Sequence, residues 1–226
     1  MPLAEAMVSR LVTGFARLIT GVRPDWRGCL PEPRQRIYFA NHASHGDFVL
    51  IWSVLPRELR DSTRPVAGAD YWRIGRFRQF VSTKVFKAVL IERVKPEQVA
   101  QESSLSPVEI MTAALDQGHS LIVFPEGTRN MTDEPLLPFK SGIYNLALAR
   151  PDVELIPTWI DNLSRVLPKG AFLPLPLLCS VTFGAPVSLK DNEDRLVFLA
   201  RAQAALMSLS TRRDQPSAPA IVAGNP

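Results

Sequence analysis

Short apolar runs alternate along the chain with longer stretches in which apolar residues recur at helical spacing. Proline, glycine or polar residues bound each run, which is typical of buried strands. The predicted strands are residues 36–40, 65–69, 89–91, 120–124, 154–160 and 179–183. The predicted helices lie between them, at residues 48–56, 71–86, 106–117, 139–149 and 191–209. This alternation predicts an α/β fold: a single domain with a mostly parallel central sheet flanked by helices.

The clearest helix start is Ser106, which stands at the N-cap of the predicted helix at residues 106–117. Pro107 occupies the first helical position and Glu109 the third, so the segment predicts a capping box. Gly118 follows the last periodic residue and predicts the end of the helix.

The first twenty residues form a basic amphipathic pattern of their own. Arg10 and Arg17 fall largely opposite the apolar residues, which are Ala4, Met7, Val8, Leu11, Val12, Phe15, Leu18 and Ile19. Such a helix either docks on the core or lies in a membrane interface with its arginines toward anionic headgroups. We therefore divide the chain into this helix (residues 1–24), one main domain that holds the candidate chemistry (residues 25–210) and a polar, disordered tail (residues 211–226).

The composition excludes several classes of protein. With 226 residues, 46% hydrophobic and 21% charged, the chain suits one globular domain and is not disordered as a whole. Its two cysteines exclude a disulfide framework and a cysteine-based zinc ribbon. No apolar run approaches the roughly 18 residues of a spanning helix, and no secretory signal peptide is evident, so we expect a cytoplasmic protein.

The densest polar cluster, residues 41–47, directly follows a predicted strand and precedes an apolar helix. Loops after strand ends are where α/β folds place active sites. His42 and Asp47 are five residues apart across a turn that contains Gly46, so the carboxylate can fold back onto the imidazole. A carboxylate on one ring nitrogen leaves the other nitrogen free as a base. Alternatively, Asp47 caps the next helix, a role that is compatible with the first.

A second polar cluster, residues 124–129, also follows a predicted strand. Gly127 permits an unusual backbone turn, and Arg129 offers a planar fork suited to phosphate. We expect Glu126 to hold that arginine or a substrate hydroxyl. Taken alone, such a segment is more often a surface turn with an ion pair.

His42, His45 and Asp47 also form a His-x-x-His-x-Asp pattern, which makes a metal-dependent hydrolase a remote alternative. A further ligand is usually needed, and only His119 or a carboxylate is available for that role. We therefore expect no metal site.

Together, residues 41–47 (NHASHGD) and 124–129 (FPEGTR), about eighty residues apart, resemble the motifs of the glycerolipid acyltransferase family. The resemblance covers roughly residues 35–190. The family's second motif, which residues 89–93 resemble, usually begins with a glycine. This chain has Lys87 and Ala88 at that place. The remaining blocks match more weakly, at residues 89–93 (VLIER), 139–142 (FKSG) and 155–158 (LIPT).

The resemblance implies transfer of an acyl group from acyl-CoA or acyl-ACP to the free hydroxyl of 1-acylglycerol 3-phosphate, which forms phosphatidate. Another lysophospholipid or a lyso-amino-acid lipid is the alternative acceptor. His42 would act as general base and Asp47 would orient it, with no acyl-enzyme and no cofactor besides the thioester. The acceptor's phosphate would be bound by Arg93, Glu126, Gly127, Thr128 and Arg129, with support from Asn41, Ser44 and Lys140.

The net charge of +4 is concentrated in one stretch of the chain. Residues 64–95 hold eight Lys and Arg against Asp70 and Glu92, with aromatic residues interleaved. Basic and aromatic residues together are typical of a surface that contacts a membrane interface or a lipid headgroup. Alternatively, the basic residues form the solvated face of a helix whose aromatic residues pack in the core. No nucleic-acid-binding module accompanies it, so no nucleic-acid partner is expected. We expect a peripheral protein on the cytoplasmic face of the inner membrane, in contact with anionic lipids.

Overall fold

The structure, a computed structural model, describes residues 3–44, 46–69, 75, 79–92, 105–161 and 179–210. Seven strands in these ranges form one sheet. They are β1 (Arg23–Trp26), β2 (Arg36–Ala40), β3 (Thr63–Gly68), β4 (Val89–Ile91), β5 (Ser120–Val123), β6 (Glu154–Asp161) and β7 (Ser180–Phe183). Their order across the sheet is β1-β7-β6-β2-β5-β3-β4.

The sheet is mostly parallel, which confirms the predicted α/β fold. β2 lies at its centre between β6 and β5, and β3 and β4 continue in parallel beyond β5. Among the described strands, only the β6–β7 pair is antiparallel, and β1 runs parallel to β7. Because β2 and β5 are covered on both faces, their sequences are continuous apolar runs rather than alternating ones.

Helices cover both faces of the sheet, and a π-helical turn occupies Val81–Val85. The helices are α1 (Leu3–Thr20), α2 (Asp47–Val54), α3 (Arg57–Ser62), α4 (Pro107–Asp116), α5 (Gly142–Ala149) and α6 (Arg195–Met207). One core packs the sheet against α2 and the inner side of α1, and the other packs it against α4, α5 and α6. Within the described ranges, no helix has the length and apolarity that crossing a membrane requires.

The predicted start of α4 is confirmed in detail. The Glu109 N–H donates to Ser106 Oγ over 3.2 Å, and the Ser106 N–H donates to Glu109 Oε2 over 2.6 Å. After the helix, Gly118 has a φ of +79°, the left-handed conformation that glycine adopts without strain.

Two elements, β1 and α3, are absent from the predictions. β1 has the sequence Arg-Pro-Asp-Trp and lies at the edge of the sheet, where a strand needs neither an apolar pattern nor every backbone donor. α3 has six residues, too few to show a helical period. Of the helix predicted at residues 71–86, the structure describes Gly75 and residues 79–86, and the tail at residues 211–226 lies outside the described residues.

Two helices begin later than predicted, for identifiable reasons. α5 begins at Gly142 because the preceding segment is tied to the strand-end loop, where the Lys140 N–H donates to the Pro125 carbonyl over 2.9 Å. α6 begins at Arg195 because the Asp194 carboxylate caps it by accepting the Leu196 N–H over 2.7 Å.

Candidate active site

The two polar clusters meet because their strands are neighbours. β2 and β5 pair in parallel, with Phe39 opposite Val123, so the loops that follow them leave the sheet at the same edge. The His42 N–H donates to Glu126 Oε1 over 2.8 Å, and the Asn130 N–H donates to the His42 carbonyl over 2.6 Å. These bonds hold His42 from both loops at once.

Asp47 lies in the first turn of α2 and turns its carboxylate back toward the loop. His42 Nδ1 is 2.8 Å from Asp47 Oδ2, and the same oxygen accepts the N–H groups of Ala43 and Ser44 over 2.7 and 2.9 Å. The N-cap of α2 is Gly46, and no side chain caps that helix start. Asp47 therefore organises the His42 loop instead of capping the helix.

The contacts of Asp47 define the tautomer of His42. An oxygen that accepts two backbone N–H groups is an acceptor toward the imidazole too, so Nδ1 carries the hydrogen of the neutral ring and donates it. Nε2 then has a free lone pair. The Asp47 side chain is 2% exposed and that of His42 is 18% exposed, so the pair is shielded from water but reachable at the ring.

Phe124 forms one wall of the imidazole site. Its ring lies parallel to the His42 ring, with centroids 4.1 Å apart and an 18° angle between planes. This stacking limits the rotation of the imidazole and leaves its edge available. Phe124, the N–H of Asn130 and the N–H of Leu137 are the site groups that the sequence analysis missed. Only Phe124 carried a signal there, as an aromatic residue directly after a buried strand.

The Glu126 carboxylate is directed at the backbone of both loops. Its side chain is buried, with the residue 2% exposed, and its two oxygens accept the N–H groups of His42 and Leu137, each over 2.8 Å. Burial raises the pKa of the Glu126 carboxyl, while these two backbone hydrogen bonds act in the opposite direction. Both oxygens of Glu126 thus tie the two loops together, and its expected role toward the phosphate, Arg129 or a substrate hydroxyl stays a prediction.

Gly127, Thr128 and Arg129 form the outer part of the second loop, which we call the Gly127 loop. Gly127 has a φ of +70°, and a Cβ there would lie 2.9 Å from Lys140 Nζ. Lys140 is therefore folded over the loop. Neither Arg129 nor Lys140 forms a hydrogen bond or ion pair through its side chain with other residues that the structure describes. Two unpaired cations thus stand beside the His42 loop.

The two predicted supporting residues of the first loop serve its backbone. The Asn41 side chain donates to the Ile160 carbonyl over 3.0 Å and accepts the Ile160 N–H over 2.8 Å, which fastens the end of β2 to β6. Ser44 Oγ accepts the Gly46 N–H over 3.2 Å and closes the turn. Both side chains therefore hold the backbone of the His42 loop in place.

Several predicted residues lie elsewhere. Arg93 and His45 fall outside the described residues, so the phosphate role of the first and the metal role of the second stay predictions. Arg64 and Lys87, expected beside the phosphate site, stand at the opposite edge of the sheet, near the starts of β3 and β4. In the described part of the chain, no group of three or more His, Cys, Asp and Glu could hold a metal ion.

Residues 28–161, which include both loops, match the family described as Acyltransferase. This match spans more than half of the chain, so the chain belongs to the acyltransferase family. The family that the motifs at residues 41–47 and 124–129 predict is thereby confirmed.

Curated relatives are similar to most of this chain. The chain is 27% identical to a 1-acyl-sn-glycerol-3-phosphate acyltransferase of Limnanthes alba, over 82% of this chain and 62% of the relative. It is 28% identical to one of Cocos nucifera (71% and 48% covered) and to the alpha form of Mus musculus (80% and 60% covered). The chain thus spans about half to three fifths of the length of these relatives.

One solved structure shares the fold. The 1-acyl-sn-glycerophosphate (LPA) acyltransferase PlsC from Thermotoga maritima superposes with a TM-score of 0.67 and 20% sequence identity. The match covers 95% of this chain and 83% of the other. It supports the α/β architecture described above.

Proposed function

We propose that this protein transfers an acyl group from an acyl thioester to the free hydroxyl of 1-acylglycerol 3-phosphate and so forms phosphatidate. The observation that carries the proposal is the 2.8 Å contact between His42 Nδ1 and the buried Asp47 carboxylate, beside the cations Arg129 and Lys140. Relatives that are named 1-acyl-sn-glycerol-3-phosphate acyltransferases favour this acceptor.

In the proposed reaction, Nε2 of His42 takes the proton of the acceptor hydroxyl while that oxygen attacks the thioester carbonyl carbon. A carbon–oxygen bond forms, the carbon–sulfur bond breaks, and the imidazolium gives its proton to the departing thiolate. No acyl-enzyme is required, because a thioester is already reactive. Asp47 stabilises the transient imidazolium from 2.8 Å, and the stacked Phe124 ring adds a cation–π contact.

The Gly127 loop is proposed to bind the acceptor's phosphate. Arg129 offers a planar fork of donors, and Lys140 adds an ammonium that lies over Gly127. The positive φ of Gly127 lets the backbone approach an oxyanion where a Cβ would obstruct it. Thr128 is exposed on the same loop, and Arg93 remains a further candidate from the sequence.

The test of this mechanism is the variant His42→Gln, assayed for acyl transfer to lysophosphatidate in the presence of membranes. We expect a rate about 10²- to 10⁴-fold lower, because a general base contributes about that much. Lys84→Gln, at an exposed lysine of the π-helical turn, is the matched control and should keep the wild-type rate. Undiminished transfer by a folded His42→Gln protein would exclude His42 as the base.

A panel of acceptors and donors then identifies the substrates. Lysophosphatidate, other lysophospholipids and a lyso-amino-acid lipid are offered with an acyl-CoA or an acyl-ACP, and the products are analysed by mass spectrometry. We expect phosphatidate as the main product. A preference for a neutral acceptor would argue against the phosphate role of Arg129.

We also propose that α1 attaches the protein to the membrane surface. Met7, Leu11, Phe15 and Leu18 are between 60% and 84% exposed and fall within an arc of roughly 80° on the helix. The adjacent face of α1, with Val8 and Val12, packs against the core. One apolar face of α1 thus packs on the protein, and the other is exposed to solvent. Such a helix can insert its exposed apolar side chains into the membrane–water interface, on the cytoplasmic side and next to anionic lipids.

The proposed attachment has a simple test. Leu11→Asn with Leu18→Asn should lower binding to vesicles of phosphatidylcholine and phosphatidylglycerol about tenfold or more, because two large apolar side chains no longer enter the interface. Leu196→Asn on α6, where the leucine is 67% exposed, is the matched control. Equal loss in both variants would remove the special role of α1.

A further inference from the structure

A cavity of about 570 Å³ opens at the amino edge of the sheet, opposite the candidate active site. Three basic side chains line it: Arg64, Lys87 and His119. β5 carries the chain from His119 toward Phe124 at about 3.3 Å per residue, so the cavity lies roughly 16 Å from the loop that holds the imidazole. The cavity also has an apolar wall, formed by Val89, Leu90, Leu105, Ile110, Ala113 and Ala114.

Strand pairing brings the three basic residues together. β3 has β4 on one side and β5 on the other, all in parallel, so the three strands begin at the same edge. In the β3–β4 pair, Val66 lies opposite Val89. Arg64 precedes Val66 by two residues and Lys87 precedes Val89 by two residues, so the parallel pairing makes Arg64 and Lys87 neighbours. Thr63 pairs with Ser120, which directly follows His119.

Arg64 is a buried cation that forms no ion pair with the described residues. It is 8% exposed, and its hydrogen bonds run from Nη1 to the carbonyls of Asp61 (2.8 Å) and Thr63 (3.3 Å). Burial lowers the pKa of Arg64, and the charge of Asp61, a carboxylate that pairs with Arg57 over 3.7 Å, acts in the opposite direction. A charge that is shielded from water is costly unless an opposite charge accompanies it, so an oxyanion in the cavity would stabilise this arrangement.

Lys87 holds a conformation that favours glycine. Its φ is +49°, in the left-handed region, where a side chain costs free energy. The ammonium is nevertheless presented to the cavity, and it makes no hydrogen bond or ion pair with the described residues. A lysine kept in a strained backbone conformation indicates a use for its charge.

We propose that this cavity is a second ligand site, which binds a small anion that carries an apolar group, such as an alkyl phosphate or a fatty carboxylate. The oxyanion lies among Arg64, Lys87 and His119, and the apolar group lies against α4 and β4. The volume falls within the range of small-molecule sites. The site is separate from the proposed acyl-transfer site and does not depend on it.

The pKa of the His119 imidazole should change when a ligand binds at this site. Burial lowers the pKa of its imidazole, and the charges of Arg64 and Lys87 lower it further. A bound oxyanion offsets both charges, so it raises that pKa. The sequence has three histidines, so the imidazole signals are few enough to follow one by one by nuclear magnetic resonance.

The experiment titrates the full-length protein with octyl phosphate, octanoate and inorganic phosphate, read by the His119 signals and by calorimetry. We expect saturable binding, a higher His119 pKa in the complex, and weaker binding of inorganic phosphate than of octyl phosphate. The octyl phosphate and octanoate arms separate a phosphate from a carboxylate headgroup. Arg129→Ala, at the other edge, should leave the His119 response unchanged.

Lys87→Gly is the decisive variant, because glycine relieves the strain at φ +49° and preserves the fold. We expect it to bind octyl phosphate about tenfold more weakly, the effect of one charge-assisted hydrogen bond. Lys84→Gly, at the exposed lysine of the π-helical turn, is the control for loss of a nearby charge. Unchanged affinity in Lys87→Gly, or a response confined to the His42 signals, would overturn the proposal.

Discussion

The two edges of the sheet hold charged side chains in opposite ways. At the carboxyl edge, Asp47 Oδ2 accepts three hydrogens, and each oxygen of Glu126 accepts a backbone N–H. At the amino edge, Arg64, Lys87 and His119 line an open cavity and form no ion pair with the described residues, although the charge of Asp61 acts on Arg64. The carboxylates of the first edge have their hydrogen-bond partners without a ligand, although Arg129 and Lys140 beside them have none among the described residues. The cations of the second edge line a cavity that an anion can enter.

The difference matters for catalysis and for binding. A base whose partners are already hydrogen-bonded needs no rearrangement when charge develops on it, so the His42 site is preorganised. In a cavity lined by cations that form no ion pair, the binding of an anion itself stabilises the protein. Substitutions at the carboxyl edge should therefore affect rate and stability strongly, and substitutions at the amino edge should change the response to anions and pH.

The largest effect is expected for Asp47→Asn. Asparagine still accepts loop N–H groups, but it no longer stabilises the imidazolium of His42 or selects the tautomer with a free Nε2. We expect kcat to fall about 10³- to 10⁴-fold with KM nearly unchanged, measured by steady-state acyl transfer to lysophosphatidate. A loss of less than tenfold would show that His42 does not need its carboxylate partner.

Glu126→Ala should have the next largest effect, a decrease in the free energy of unfolding. The substitution leaves the partly buried N–H groups of His42 and Leu137 without acceptors, which costs about 1–2 kcal/mol each, or about 2–4 kcal/mol of unfolding free energy. Urea denaturation measures the loss. Glu126→Gln keeps one acceptor oxygen and should lose about half as much, and equal stability of wild type and Glu126→Ala would contradict the tie between the loops.

Gly127→Ala tests the outer loop of the same edge. Alanine at φ +70° is strained by about 1–2 kcal/mol, and its Cβ would lie within 3 Å of the Lys140 side chain, which must move. We expect KM for lysophosphatidate to rise about tenfold while kcat changes less. Gly14→Ala is the control, because a Cβ at Gly14 in α1 meets nothing within 4 Å. Equal KM values in both variants would argue against a phosphate site on this loop.

The carboxyl edge could be predicted from the sequence because its residues are contiguous. Residues 41–47 and 124–129 each follow a buried apolar run, and parallel strands end at a common edge, so their meeting follows from two local patterns. The direction of the Glu126 side chain could not be predicted. It depends on the N–H of Leu137, whose position is set by tertiary packing.

The amino edge shows the limit of that reasoning. Arg64, Lys87 and His119 come from three strand starts that are remote in sequence, and the order β5-β3-β4 that joins them appears only in the folded sheet. The clustering of charge between residues 64 and 95 suggested one basic surface. Arg64 and Lys87 instead lie at the edge away from the candidate active site, because they precede or begin their strands rather than follow them.

The smallest expected effect belongs to this edge and concerns pH. Because the pKa of His119 is lowered in the folded protein, the unfolded chain takes up the proton first as the pH falls. The contribution of His119 to stability is therefore complete above a pH of about 6.5 and is lost as the pH falls through the lowered folded pKa.

His119→Gln removes this contribution, so its unfolding free energy should fall less than that of the wild type between pH 7.5 and pH 5, measured by urea denaturation. Lys87→Gly should have part of the same effect, because it removes one of the two charges that lower the His119 pKa. Lys84→Gln should behave like the wild type. With saturating octyl phosphate the wild-type curve should approach that of His119→Gln, because the bound anion raises the pKa of His119. An unchanged wild-type curve would mean that the anion does not reach the charges at this edge.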